Sequence, residues 1–218
     1  VPHDWLGEQF FIEAEALKEQ RPDLYAHEYL GEVTGTGGDV FGNVEDLEMT
    51  DEMINNQFDN IRDGIDFGFA IDPFAYTKMH YDPKKHDLYI FDEVYGVQIS
   101  NEKAYELVKD RVGDRYVNAD SAEPKSIARL CDLGLRCLPV KKGPDSRDFA
   151  IKWLSDLAHI YIDKRRCPNT YREFVGYEFA QDKDGNFISQ YPKANDHTID
   201  SVRYALRQDM DGATYSFD

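Results

Sequence analysis

The chain is 218 residues long and carries 25 Lys and Arg against 42 Asp and Glu, a formal net charge of −17, and its length suits one domain with or without an appendage. With 41% apolar and 13% aromatic residues it can bury a core, which excludes global disorder, and no apolar run approaches the ~18 residues needed to cross a bilayer. The acidity stands against a generic polyanion binder, because Coulomb repulsion opposes nucleic acid at long range.

No signal peptide opens the chain, and a patterned segment starts almost directly after Val1, so a piece of a longer polypeptide is expected. Cys131, Cys137 and Cys167 make an odd count without CxxC spacing, which disfavours a disulfide scaffold or structural zinc and fits a reducing, intracellular setting. Trp5, Leu6, Phe10, Phe11, Ala14 and Leu17 fall at three- and four-residue steps and predict an amphipathic helix, closed by Arg21-Pro22. YAHEYLGEV (25–33) leads into GTGG (35–38). No Gly-Lys-Ser/Thr follows, so the glycines read as a flexible turn rather than a phosphate loop. Residues 45–63 hold seven acids against Arg62 alone, the pattern of a solvated connector.

At Gly64 the texture changes. Ile65, Phe67 and Phe69 alternate with Asp66, Gly68 and Ala70, which predicts a strand. Strands over 75–81 and 88–94 follow across turns carrying Asp72-Pro73 and Asp82-Pro83, so an antiparallel meander is expected. A helix over 99–112, a short strand at 116–119 and a helix over 124–133 come next, with Pro124 in a first turn where its missing N–H costs nothing. A fifth strand (135–140) and a helix (147–158) complete a mixed α/β sheet of about five strands flanked by helices. In the tail, Asp184-Gly185 between strand-like stretches (177–180 and 187–191) predicts a C-terminal β-hairpin. The acidic turn there lacks the twelve-residue spacing and terminal Glu of an EF-hand. The last helix, about 196–209, puts Ile199, Val202 and Leu206 on one face.

Asp66 lies in an apolar strand, Asp120 ends the strand YVNAD, and Asp196, His197 and Asp200 share a flank of the last helix. Three carboxylates converging in one pocket repel unless a cation neutralises them. Hard oxygen ligands select magnesium or manganese, and two such ions are a known device for phosphodiester hydrolysis. Asp196, in the first turn, is placed to satisfy free helix N–H groups, whereas Asp200 lies one turn deeper. Taken singly, each aspartate also fits a cap or turn.

GIDFGFAIDP, NADSAEPKSI and NDHTIDSVRYAL resemble the three nuclease motifs of phage terminase large subunits. WLGEQFFIEAEALK and YLGEVTGTGGDVF are similar to the end of the ATPase domain and the connector of that family. The resemblance spans about residues 5–208, and D-H-x-x-D-x-x-R-Y is its most specific part. It implies a ribonuclease H-like fold and a metal-dependent endonuclease that cuts concatemeric double-stranded viral DNA during packaging. The implied layout is 1–60 as the tail of the ATPase domain and acidic connector, 61–211 as the nuclease domain and 212–218 as a C-terminal tail. Asp66, Asp120 and Asp200 are then ligands of two divalent ions, with Asp66 shared, and His197 stands beside them. Glu93 and Asp196 are accessory residues in that reading, and Lys125 and Ser126 are placed to touch the phosphate. The partners implied are DNA, the portal protein and the small terminase subunit, in the host cytoplasm. Alternatives are another ribonuclease H-like nuclease of resolvase or transposase type, and a non-catalytic docking module for portal or small subunit.

Between Arg136 and Arg172 nine Lys and Arg face four Asp. This stretch, with Lys141, Lys142, Arg165 and Arg166, is the expected DNA-facing surface, the acidic connector turning away from it.

Overall fold

The structure, a computed structural model, describes residues 38–213 apart from 70, 142, 144 and 145. The helix expected over 5–17, the YLGEV segment, most of GTGG, Lys142 and the tail beyond 213 lie outside the described residues.

Seven strands form one sheet: β1 (Val44–Asp46), β2 (Ile61–Asp66), β3 (Phe74–Asp82), β4 (Asp87–Gly96), β5 (Val117–Asp120), β6 (Cys137–Val140) and β7 (His159–Ile162), in the order β1-β7-β4-β3-β2-β5-β6. The described helices are α1 (Asp51–Gln57), α2 (Asn101–Val112), α3 (Pro124–Leu133), α4 (Ser146–Ser155), α5 (Pro168–Val175), α6 (His197–Ala205) and α7 (Arg207–Ala213). β3 runs antiparallel to both its neighbours while every other pairing is parallel. The C-terminal ends of β2, β5 and β6 therefore meet at one edge of the sheet.

The meander forms as expected. Its β3–β4 turn is closed by Asp82, whose Oδ1 accepts from the amides of Lys84 and Lys85. The strand count rises from about five to seven because β1 and β7 join the sheet. β1 comes from the stretch read as a connector: Val44, Glu45 and Asp46 pair with Ile160, Tyr161 and Ile162. α1 follows, with Thr50 at its N-cap accepting from the Met53 amide. β2 also begins earlier than alternation suggested and ends at Asp66, since its charged residues have partners. Arg62 pairs with Asp209, and buried Asp63 accepts from Tyr76 and Arg115.

The C-terminal hairpin is reduced to a turn with isolated pairing. Asp182 Oδ1 accepts from the amides of Asp184 and Asn186, Gly185 takes φ +84°, and Gln181 bridges Phe187. A local bond from the Gln190 amide to the Ile188 carbonyl turns the second segment aside.

Two cores sandwich the sheet. Ile65, Tyr76, Val108, Ile127 and Leu130 gather α2 and α3 on one face. Met79, Ile151, Phe174, Ile199 and Val202 gather α4, α5 and α6 on the other. α6 lies very close to β2 at Gly64, where a Cβ would stand 2.0 Å from the Ser201 carbonyl oxygen. Ser201 Oγ fills the contact, donating to the Gly64 carbonyl and sharing a 2.8 Å hydrogen bond with Thr77. The helix carrying the third aspartate is thus seated directly on the strand carrying the first.

Candidate active site

Gly64 pairs with Asn118 and Ile65 with Ala119, so Asp66 and Asp120 end adjacent parallel strands on the same face. Asn118, on that face too, donates to the Ala205 carbonyl of α6. α6 thereby brings His197 and Asp200 over the same end of the sheet. His197 Nδ1 lies 3.2 Å from Asp66 Oδ2. The sheet edge and one helix bring together the four residues expected to carry the chemistry.

Asp66 is 7% exposed, and burial pushes its carboxyl up to about 6; Asp200 and Asp120 push in the same direction, and the His197 hydrogen bond opposes them. His197 is raised in turn, chiefly by its bond to Asp66. A carboxylate that gains a histidine partner usually falls, so burial and like charge outweigh the histidine here. Asp200 is gripped by Arg203, whose Nε and Nη2 donate to its two oxygens at 2.5 and 2.8 Å. Asp120 Oδ1 accepts from the Ala122 amide.

These three carboxylates are the donor set a hard divalent cation selects, and their mutual repulsion on Asp66 is what such a cation would relieve. Among the described residues no group of three or more His, Cys, Asp or Glu side chains is already set to hold an ion. Asp66 is turned to His197 and Asp200 to Arg203. The set fits in kind and charge. Beside it, a cavity of about 480 Å³ lined by Phe67, Phe69, Ile99, Glu102 and Glu123 contains none of the three aspartates, which stand outside it at the end of the sheet.

Several expected roles change. Asp196 stands at the N-cap of α6, yet its side chain makes no cap bond; it accepts from Arg147 Nη2 at 2.5 Å instead. The free α6 amide goes to Glu173, a residue without a visible sequence signal, whose Oε2 accepts from Thr198 N and Oγ1, each at 2.6 Å. Glu93 is not directed at the aspartates. Both its oxygens are occupied by four donors at the start of α5, the amides and side chains of Asn169 and Thr170. Arg203 was within reach of sequence reasoning, since it sits in the D-x-x-R-Y run.

The basic surface is also corrected. β1 lies beside β7, so the acidic stretch faces the basic one rather than turning away. Lys164 pairs with Asp46, Arg165 with Glu48, and Arg166 with Asp51. Lys164, Arg165 and Arg166 are thus each matched by an acid from outside the stretch, which offsets part of its +5. Lys125 is exposed on the first turn of α3, where Ser126 bonds Asn101 and Glu123. Lys141 is exposed one residue beyond Val140, the register partner of Asp120.

A family model, the terminase RNAseH-like domain, matches residues 66–208. The chain is 39% identical to the terminase large subunit of Bacillus phage SPP1 over 215 residues, covering 96% of this chain and 51% of that protein. It is 31% identical to the PBSX phage terminase large subunit of Bacillus subtilis (strain 168) over 206 residues, covering 93% and 47%. The chain thus spans about half the length of the curated relatives it matches. Its fold is similar to the crystal structure of the g2p (large terminase) nuclease domain from bacteriophage SPP1 with bound Mn, at TM-score 0.72 and 38% identity, covering 78% of this chain and 98% of that one.

Proposed function

The chain belongs to the terminase large-subunit family through its ribonuclease H-like nuclease domain, and from that premise we propose that it hydrolyses double-stranded viral DNA during genome packaging with two divalent ions, magnesium or manganese. The observation that carries this reading is the convergence of Asp66, Asp120 and Asp200 from β2, β5 and α6 on one edge, with both other carboxylates raising Asp66. The manganese in the similar SPP1 nuclease domain supports it. When bound, the ions would supply the positive charge that activates water and stabilises the leaving oxygen.

The chain's own residues do the rest. Asp66, Asp120 and Asp200 would hold the ions, with Asp66 shared. Arg203 keeps Asp200 oriented through its two-pronged grip and offsets its charge. His197, raised by Asp66 and 3.2 Å from it through Nδ1, stands where it can orient water or protonate the leaving oxygen. Lys125 and Lys141, exposed along the same edge, are the phosphate contacts in this reading. In the longer protein the partners would be the portal and the small terminase subunit, and the setting the host cytoplasm.

Nicking of supercoiled plasmid in manganese tests the assignment. Asp66→Asn and Asp200→Asn should each lower the rate at least 100-fold, and His197→Ala should slow turnover about tenfold with little change in manganese affinity. Asp196→Asn should remain active and lose about 1–2 kcal/mol of stability through its Arg147 bond. Unimpaired nicking by Asp66→Asn, or nicking of equal rate in EDTA, would overturn the reading.

A further inference from the structure

Glu173 is a buried carboxylate, 5% exposed, with no part in the chemistry above. It lies on α5 and contacts two elements at once. Its Oε2 accepts from the amide and hydroxyl of Thr198, and its Oε1 accepts from the Tyr95 hydroxyl at 2.9 Å. Thr198 immediately follows His197 and lies two residues before Asp200. Tyr95, on β4, pairs with Ala75, which pairs with Asp66, so that contact ties α5 to the sheet at the level of Asp66. Burial and the Glu173 carboxylate push Tyr95 up, which keeps its hydroxyl a donor.

The start of α6 would otherwise lack a side-chain acceptor, since Asp196 is committed to Arg147. A carboxylate at a helix N-terminus also meets the positive end of the helix dipole. α5 is in turn fixed at its own start by Glu93 on β4. Two carboxylates in series therefore run from the sheet through α5 to the first turn of α6, the turn that carries His197 and Asp200.

We propose that Glu173 is a positioning residue that holds the first turn of α6 in register with β2, and so sets His197 and Asp200 against Asp66. The proposal rests on the nuclease reading above for its consequence, and on geometry alone for its contacts. Glu173 touches none of the reacting atoms, and its role is carried chiefly by hydrogen bonds, its charge adding the smaller attraction to the helix dipole. An amide in its place can still accept both Thr198 bonds, and its NH2 group can donate to a turned Tyr95 hydroxyl.

The test uses Glu173→Ala, Glu173→Gln and Thr198→Val in the 218-residue chain, with two readouts. Amide hydrogen exchange in metal-free protein should speed up at least tenfold at Thr198 in Glu173→Ala, stay within threefold of wild type in Glu173→Gln, and leave β2 unchanged in both. In manganese-dependent nicking, Glu173→Ala should lose at least tenfold in kcat with KM for plasmid unchanged, and Glu173→Gln should recover to within threefold. Thr198→Val, which deletes the hydroxyl bond, should fall between them. If Glu173→Ala does not fold, Thr198→Val and Glu173→Gln carry the same comparison. Folded Glu173→Ala with wild-type exchange and kcat would overturn the proposal, as would a Glu173→Gln protein as slow as Glu173→Ala. If wild type itself does not nick, the nuclease reading fails while the exchange at Thr198 still decides the contact.

Discussion

Asp66 is held where water is scarce and two further carboxylates push against it, so the folded protein prefers it protonated. Its carboxyl is raised from 3.8 to about 6, which means the native state binds more protons than the unfolded chain across that interval. Stability from this group is therefore greatest below the unfolded value and is lost as pH rises to about 6. The full cost is present at pH 7. Asp66→Asn removes the charge, and in metal-free protein at pH 7 it should raise stability by on the order of 2 kcal/mol. The gain should shrink toward zero near pH 4. Urea titrations of both proteins at the two pH values check this, and a less stable variant at pH 7 would contradict it. Manganese should raise the melting temperature of the wild type and leave that of Asp66→Asn nearly unchanged, since ligand binding to the native state alone is what shifts it. The aspartate's position at the end of an apolar run was legible from GIDFGFA. That Asp120, His197 and Asp200 gather around it was not, because they lie 54 to 134 positions further along the chain.

The elements that build the site depend on one close approach. α6 rests on β2 because residue 64 has no side chain: an added Cβ would meet the backbone oxygen of Ser201 at 2.0 Å and the Ala205 Cβ at 3.0 Å. A backbone atom has no rotamer by which to move aside. Gly64→Ala should therefore lift α6 and cost about 3 kcal/mol or more, at the upper end of overpacking penalties. Because α6 carries Asp200, manganese affinity should fall too, unlike the effect of a distant core substitution of equal cost. Urea unfolding with a manganese titration of the same protein makes that comparison. Several elements declared themselves in the chain: α3 begins at Pro124, and β3 and β4 lie on either side of the Asp82-Pro83 turn. β1, β7 and α5 did not. β1 and β7 are three and four residues long; β1 is held by pairing with β7, and β7 lies between β1 and β4. α5 starts where Glu93 supplies acceptors from another strand.

At the scale of the molecule, a formal charge of −17 would meet a polyanion in the proposed reaction, and three cations of the expected basic face are paired with Asp46, Glu48 and Asp51. Exposed pairs of this kind are individually weak, yet together they offset part of the local excess. Binding of the isolated chain to duplex DNA should accordingly be weak, indifferent to sequence and lost between 50 and 200 mM salt, roughly the range over which counterion release lowers affinity. Lys141→Glu, at the reactive edge, should lower affinity and reduce the salt slope by about one. Arg165→Glu with Arg166→Glu should change the slope less, because those guanidiniums already face Glu48 and Asp51; fluorescence anisotropy with a labelled duplex measures both, and a larger effect from the arginine pair would restore that surface as the DNA face. Periodicity, turn chemistry and the Asp-His-x-x-Asp spacing are local quantities, so the chain by itself determined the alternating α/β class, the meander, the helix starts and the four candidate site residues. Which charges neutralise one another, which carboxylate caps α6, and that Asp66, Asp120 and Asp200 share one face were decided by the tertiary structure alone. Each of those depends on the register of parallel strands far apart in sequence, and no local pattern encodes that register.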